Sequence, residues 1–268
     1  MSSYFVHNFG CRATQADGAA LERRLLASGM QYADDAGRAD VVVLNSCTVT
    51  AAADRDVRAA IRRIHRENPE CRILVTGCYA QRAPQELAHL PGVSWVVGNS
   101  HKHEIAEILR PDAPVPSFVP LAQLDSAHAQ ILVGDIFAHT ELLAAPVFEA
   151  RTQSEKTRPN LKVQDGCDNR CSFCVIPSVR GRSRSLPRAE VLREVRALVD
   201  AGYREVVISG INLGRWGRDL EPAERFENLV WAILEKTPLE RLRLSSVEPM
   251  DWSDELMALV AESARIAK

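Results

Sequence analysis

Val163-Gln-Asp-Gly-Cys167-Asp-Asn-Arg-Cys171-Ser-Phe-Cys174 spaces three thiols as C-x3-C-x2-C. Three thiolates are one fewer than a closed iron–sulfur cluster takes. A cubane held by three keeps one iron open, and an open iron can bind a small molecule and act on it. Zinc is the main competitor, yet structural zinc sites close with four ligands, as paired C-x2-C or C/H units. No second Cys or His pair follows at finger-like distance. A simple electron-transfer cluster also stays open as a reading. The apolar stretch Leu161 to Val163 reads as a short strand, so the thiols lie on the loop that leaves it.

Outward from that strand the pattern repeats. Helix Arg188–Ala201, strand Glu205–Ser209, helix Glu224–Lys236, strand Arg241–Leu244 and helix Ser253–Ala264 follow, giving three βα units. Such units begin a TIM-like barrel, and three cannot close one. The chain reads as cut short at Ile266-Ala267-Lys268.

Toward the N-terminus, strand-like runs Tyr4–Val6, Val41–Leu44, Ile73–Thr76 and Trp95–Val97 alternate with helical stretches Gln15–Ser28, Ala51–Arg66, Pro84–Leu90 and His103–Leu109. Short continuous apolar strands alternating with helices predict a doubly wound parallel sheet. Pro111, Pro114, Pro116 and Pro120 break the pattern, and Leu121–Asn160 has weak periodicity. The expected organisation is therefore an N-terminal domain over 1–112, a connector over 113–156 and the start of a barrel domain over 157–268.

Cys11, Cys47 and Cys78 each follow the carboxyl end of a predicted strand, in Phe9-Gly10-Cys11, Asn45-Ser46-Cys47 and Thr76-Gly77-Cys78. In an open parallel sheet those ends share the edge where ligands bind. Three thiols far apart in sequence are thus expected to converge, again as a set of three. One cysteine so placed would need no explanation beyond packing. Cys71 lies before its strand, at the opposite edge, and is assigned to packing.

Composition sets outer bounds. In 268 residues, 46% hydrophobic and 25% charged, there is room for one large or two ordinary domains of a globular protein. A net charge of −2 announces no nucleic-acid binder, so such a role rests on local patches. No apolar run is long enough to span a membrane, and Met1–Asn8 has no signal-peptide pattern, which leads to the expectation of a cytoplasmic protein. There, seven cysteines are more readily ligands than disulfides.

With both triads in view, the chain resembles the radical S-adenosylmethionine (SAM) methylthiotransferase family over nearly all its length. Asn8–Gln15, Asn45–Thr50 with Ala53-Asp54-Arg55, and Val75–Gln81 look like its three N-terminal motifs. Gly166–Asp168, Cys174–Pro177 and Arg180-Gly181 look like its cluster signature. The resemblance implies an enzyme, a transferase, with two 4Fe–4S clusters and SAM. Cys167, Cys171 and Cys174 would hold the cluster that cleaves SAM reductively to a 5′-deoxyadenosyl radical. Cys11, Cys47 and Cys78 would hold the cluster that presents sulfur, and a second SAM would donate the methyl group. Such chemistry replaces an unactivated aromatic C–H by C–S–CH3, a bond no side-chain acid, base or nucleophile can break.

The segments Gln164–Asp168, Arg180–Ser185, Ser209–Gly214 and Ser245–Pro249 look most like the branch acting on threonylcarbamoyladenosine, next to the tRNA anticodon at position 37. Other tRNA adenosines and a ribosomal-protein aspartate are the family's further substrates, and a non-enzymatic iron–sulfur or zinc module is the rival class. The family's later barrel strands and C-terminal RNA-binding domain are absent from these residues. Gly210 and Asn212, at the end of the second barrel strand, and Glu248, just past the third, are candidates for SAM contact. Arg180, Arg182 and Arg184 are candidates for phosphates of an anticodon loop. Arg188, Arg193 and Arg196 read as a solvated helix face, and Arg55, Arg58, Arg62, Arg63 and Arg66 form a second basic stripe of either kind. An electron donor and a sulfur source are the remaining partners implied.

Overall fold

The computed structural model describes residues 2–110, 129–139, 142 and 158–267. They form two compact units, one of Met1–His139 with Ser178–Arg180, the other of Thr140–Pro177 with Gly181–Lys268.

The first unit contains β1 (Ser3–Asn8), α1 (Arg12–Ala27), β2 (Gln31–Tyr32), β3 (Val41–Ser46), α2 (Ala51–Glu67), β4 (Arg72–Gly77), α3 (Cys78–Arg82), α4 (Pro84–Ala88), β5 (Val93–Val97), α5 (Ile105–Ile108) and β6 (Gln130–Leu132). Its six strands run parallel in the order β2-β1-β3-β4-β5-β6. The order reverses at β1 and β3, which makes the gap at their carboxyl ends the topological switch point of a doubly wound sheet. All six residues of β3 are buried. Period-two alternation sends Val41 and Val43 to one face, with Leu21 and Leu25 of α1 and Ile105 of α5. Val42 and Leu44 go to the other, with Val57, Ile61 and Ile64 of α2 and Leu87 of α4. Each such fully buried side chain contributes roughly 1.5–3 kcal/mol relative to exposure. Val57, Ile61 and Ile64 recur at helical spacing on α2, whose start is capped by the Thr50 hydroxyl accepting from the Ala53 N–H at 3.2 Å.

The second unit contains β7 (Asn160–Lys162), β8 (Gln164–Asp165), the start of α6 (Ile176–Arg180, whose last three residues belong to the first unit), β9 (Arg184–Ser185), α7 (Arg188–Asp200), β10 (Glu205–Ser209), α8 (Phe226–Lys236), β11 (Arg241–Leu244) and α9 (Asp254–Glu262). Strands β7, β10 and β11 are parallel in the order β11-β10-β7, and β8 pairs antiparallel with β9. Leu161, Val206, Ile208 and Leu242 of the strands pack with Val191, Val195, Leu229 and Ile233 of the helices. These are the three expected βα units, and Leu242 makes a further parallel bridge to Ile266.

Three expectations change. Strand β6 falls inside the stretch expected as a connector: Gln130–Leu132 extends the first sheet by pairing with β5. The short pair β8–β9 had no counterpart, because two-residue polar strands carry no periodicity. The helix expected over His103–Leu109 is shorter, α5 over Ile105–Ile108, and a 3-10 turn over Asn99–Glu104 precedes it. Residues 111–128 and 143–157, with all four connector prolines, lie outside the described residues.

Glu22 on α1 tests the packing of this face. Burial pushes its carboxyl up from 4.5 to about 7. A folded-state pKa above the unfolded value gives stability that is fully present below pH 4.5 and lost as pH rises through about 7. Glu22→Gln should remove that loss, and denaturant midpoints on either side of the window check it.

Candidate functional site

The local folding of the first unit brings three thiols to one edge. After β1 the backbone passes Cys47 at Gly10, which has φ +95°; a Cβ there would lie 2.5 Å from the Cβ of Cys47. Only glycine fits so close an approach at such a φ. Cys11 then caps α1 in extended conformation. Cys47 directly follows β3. Gly77 ends β4 at φ +98°, where a Cβ would collide with the Ser46 carbonyl, and Cys78 opens α3. Cys11 is exposed, whereas Cys47 and Cys78 are buried.

The thiols interact. The Cys47 thiol donates a hydrogen bond to Cys11, which holds the Cys11 thiol down at about 4; the charge of Arg180 and hydrogen bonds with Thr14 assist, against burial. The same bond, with burial and the neighbouring Cys78, pushes Cys47 up. Asn99 donates from Nδ2 to the Cys78 sulfur at 3.6 Å and to the Val179 carbonyl at 2.7 Å. The bond from Cys47 thus favours the thiolate at Cys11, the form that ligates metal.

A polar network lies beneath this edge. Lys102 Nζ donates to Asp17 at 3.0 Å and to Asn45 Oδ1 at 3.2 Å. Asn45 Nδ2 donates to Asn8 Oδ1 at 3.0 Å and to the Thr14 carbonyl at 2.7 Å. Arg180, 2% exposed, reaches Asp17 at 3.2 Å. The network ties the last residues of β1 and β3 to α1 and to the turn after β5. Burial lowers the Lys102 pKa, and Asp17 opposes it.

In the second unit, Gly166 has φ +72°, and a Cβ there would collide with the Arg182 carbonyl. Cys167 N–H donates to the Gly181 carbonyl at 3.1 Å, and Cys174 N–H to the Cys171 carbonyl at 3.1 Å, which closes a turn between the last two thiols. Asn212 Nδ2 donates to the Cys167 sulfur at 3.7 Å, while its backbone N–H donates to Gln164 Oε1 at 2.8 Å. A Cβ on Gly210 would come within 2.8 Å of that same Gln164 oxygen. Gly210 and Asn212 therefore sit against the thiol loop. Glu248 is exposed past β11.

Among the described residues no three His, Cys, Asp or Glu side chains surround a single metal ion. What the two sets share is donor chemistry: soft sulfur only, three thiols each, with a carboxamide N–H on one sulfur. Cys71 is buried in the apolar cluster under α2, its thiol facing the Arg72 carbonyl at 3.6 Å, as expected of packing.

The arginine expectation needs correction at Arg180, whose burial on Asp17 removes it from any surface a phosphate reaches. Arg182 is exposed, and Arg184 donates to the Arg182 carbonyl at 3.1 Å. On α7, Arg188 pairs with Glu224 and Arg193 with Glu194, both at 3.3 Å, and Arg196 bonds the Lys236 carbonyl at 3.0 Å. Sequence reasoning missed Asp17, Lys102 and Asn99. The one signal for the network was an Asn at or next to the end of each of two otherwise largely apolar strands, at Asn8 and Asn45.

Residues 3–98 match the family described as "Uncharacterized protein family UPF0004", and residues 161–214 match the radical SAM superfamily. The chain is 36% identical to the threonylcarbamoyladenosine tRNA methylthiotransferase MtaB of Aquifex aeolicus, over 96% of this chain and 59% of the relative. It is 33% identical to the protein of the same name from Bacillus subtilis, over 99% and 56%. It is 32% identical to the tRNA-2-methylthio-N(6)-dimethylallyladenosine synthase of Syntrophotalea carbinolica, over 100% and 59%. The chain thus spans less than two thirds of these relatives. Among solved structures, the radical S-adenosylmethionine methyltransferase TsrM of Kitasatospora setae superposes with a TM-score of 0.63 at 17% identity, over 97% of this chain and 57% of that one, a likeness of fold.

Cys11 should be the first thiol alkylated by iodoacetamide at mildly acidic pH, being exposed and held toward its thiolate by Cys47. Cys47 and Cys71 should stay unmodified until the fold opens, which peptide mass mapping reads directly.

Proposed function

The chain belongs to the radical-SAM methylthiotransferase family, and from that premise we propose that it serves to place a methylthio group on C2 of threonylcarbamoyladenosine beside the tRNA anticodon. The observation that carries the reading is the pair of three-thiol sets, one at the carboxyl ends of three parallel strands and one on the single loop after β7 and β8, each in its own unit. Cys167, Cys171 and Cys174 would hold one 4Fe–4S cluster with SAM, and Cys11, Cys47 and Cys78 a second. When bound, these groups supply reductive SAM cleavage, hydrogen abstraction, and sulfur and methyl transfer, with an electron donor and a sulfur source as partners.

The chain's own residues bind and orient. The glycines at 10, 77 and 166 let the backbone turn tightly enough to present the sulfurs. Asn99 and Asn212 donate N–H groups to one sulfur in each set, which fixes the direction of that side chain. Gly210 lets the strand end pack closely on Gln164, next to Asn212, where the polar end of SAM would lie. No helix among the described residues is long and apolar enough to cross a membrane. A tRNA substrate would set the protein to work in the cytoplasm.

A dimethylallyladenosine substrate is the second reading, favoured by the relative from Syntrophotalea carbinolica. Nucleoside mass analysis of treated tRNA separates the two by the mass of the N6 group. In the same assay, replacing Cys11, Cys47 and Cys78 together by Ala should leave 5′-deoxyadenosine formation intact and abolish methylthio-adenosine. Cys171→Ala should abolish both. Methylthiolated tRNA from the triple variant would overturn the assignment of the N-terminal thiols.

A further inference from the structure

Helix α2 carries a line of arginines that the proposed chemistry does not use. Arg55, Arg62 and Arg66 are all exposed. At the helical repeat they fall within an arc of about 40° and over a length of about 16 Å. Arg58 flanks the line, held by a 2.6 Å hydrogen bond from its guanidinium to the Tyr79 hydroxyl. Ala51, Ala52 and Ala59 are the other exposed residues nearest the line, so no bulky side chain covers it.

The carboxylates of α2 are elsewhere. Asp54 is turned inward and paired with Arg82 at 2.8 Å. Asp56 and Glu67 lie about 100° or more around the helix. Among the described residues, Arg55, Arg62 and Arg66 form no ion pair. Helix α7 behaves in the opposite way: Arg188 and Arg193 are matched by glutamates. Of the two basic helices, only α2 presents an uncompensated positive line.

We propose that the Arg55–Arg62–Arg66 face of α2 is a docking surface for the phosphate backbone of RNA. Arginine without lysine suits bidentate recognition of phosphate. The absence of large apolar residues on this face argues against insertion into a lipid surface. The placement suits a substrate strand, because α2 starts four residues after Cys47, at the sheet edge that carries the three thiols. The positive end of the helix dipole lies at that edge, with the arginine line leading away from it. An RNA whose target base reached the edge would have flanking phosphates along α2. The surface rests on the proposed RNA substrate and adds to it where the backbone is held.

The test is binding of an unmodified tRNA transcript to the 268-residue chain, followed by fluorescence anisotropy across a salt series. The combined variant Arg55→Gln, Arg62→Gln, Arg66→Gln should lower the slope of log K against log salt by about 2 and weaken binding about tenfold or more. An unrelated single-stranded RNA should weaken in parallel, since phosphate contacts carry no sequence information. Arg193→Gln on α7 should change neither quantity, and an unchanged melting temperature should show that the triple variant is folded. Wild-type binding with an unchanged slope in the triple variant would overturn the α2 surface alone. Wild-type chain that fails to bind tRNA would likewise overturn the α2 surface, which lies within these residues, while the substrate reading is tested separately by the nucleoside assay. Poly-glutamate competing as well as RNA would overturn it in favour of an acidic protein partner.

Discussion

All six strands of the first sheet run parallel, so every carboxyl end faces the same edge. A strand of opposite direction at any of the three central positions would carry its cysteine to the far side. The order reversal at β1 and β3 opens the gap there, and Cys11 and Cys47 flank it. Cys78 joins them because Ser46 and Gly77 are in register and end their strands together. The convergence of thiols separated by 36 and 31 positions is a property of sheet direction and register, and of the two glycines that let the loops close.

The buried charges hold that edge in one arrangement. Asp17 and Lys102 are each 2% exposed, and Arg180 shares the carboxylate. Ions out of water cost several kcal/mol each, which is offset only by good geometry and further hydrogen bonds. Asn45 supplies one by accepting from Lys102, and it extends the network to Asn8 and Thr14. These groups link α1, β1, β3 and the turn after β5 by directional bonds, where apolar packing alone would tolerate small shifts. The same region lowers the Cys11 thiol, through Cys47 first and Arg180 second among the favourable causes.

Much of this was legible. Val41–Leu44 and Glu205–Ser209 announce buried parallel strands by continuous apolar composition, and the cysteine positions followed from their ends. The rest depended on distance in sequence. Gln130–Leu132 is too short to carry a pattern and becomes a strand only by pairing with β5. Arg180 stands in a run of loop arginines and looked exposed, yet its partner Asp17 is 163 residues away, and no local signal announces such a pair. Asn99 and Asn212 look like ordinary loop residues until the fold sets them on sulfur. The substrate branch came from resemblance, because a preference among modified adenosines has no periodicity or spacing to read.

The central claim is that Cys11, Cys47 and Cys78 form a metal-cluster site independent of Cys167, Cys171 and Cys174. The most direct measurement is iron and sulfide content after anaerobic reconstitution, on the wild-type chain and on the variant with Cys11, Cys47 and Cys78 replaced by Ala. Two four-iron clusters predict about eight iron atoms per wild-type chain and about four in the variant. Equal iron in the two proteins would contradict the account and return the N-terminal thiols to packing.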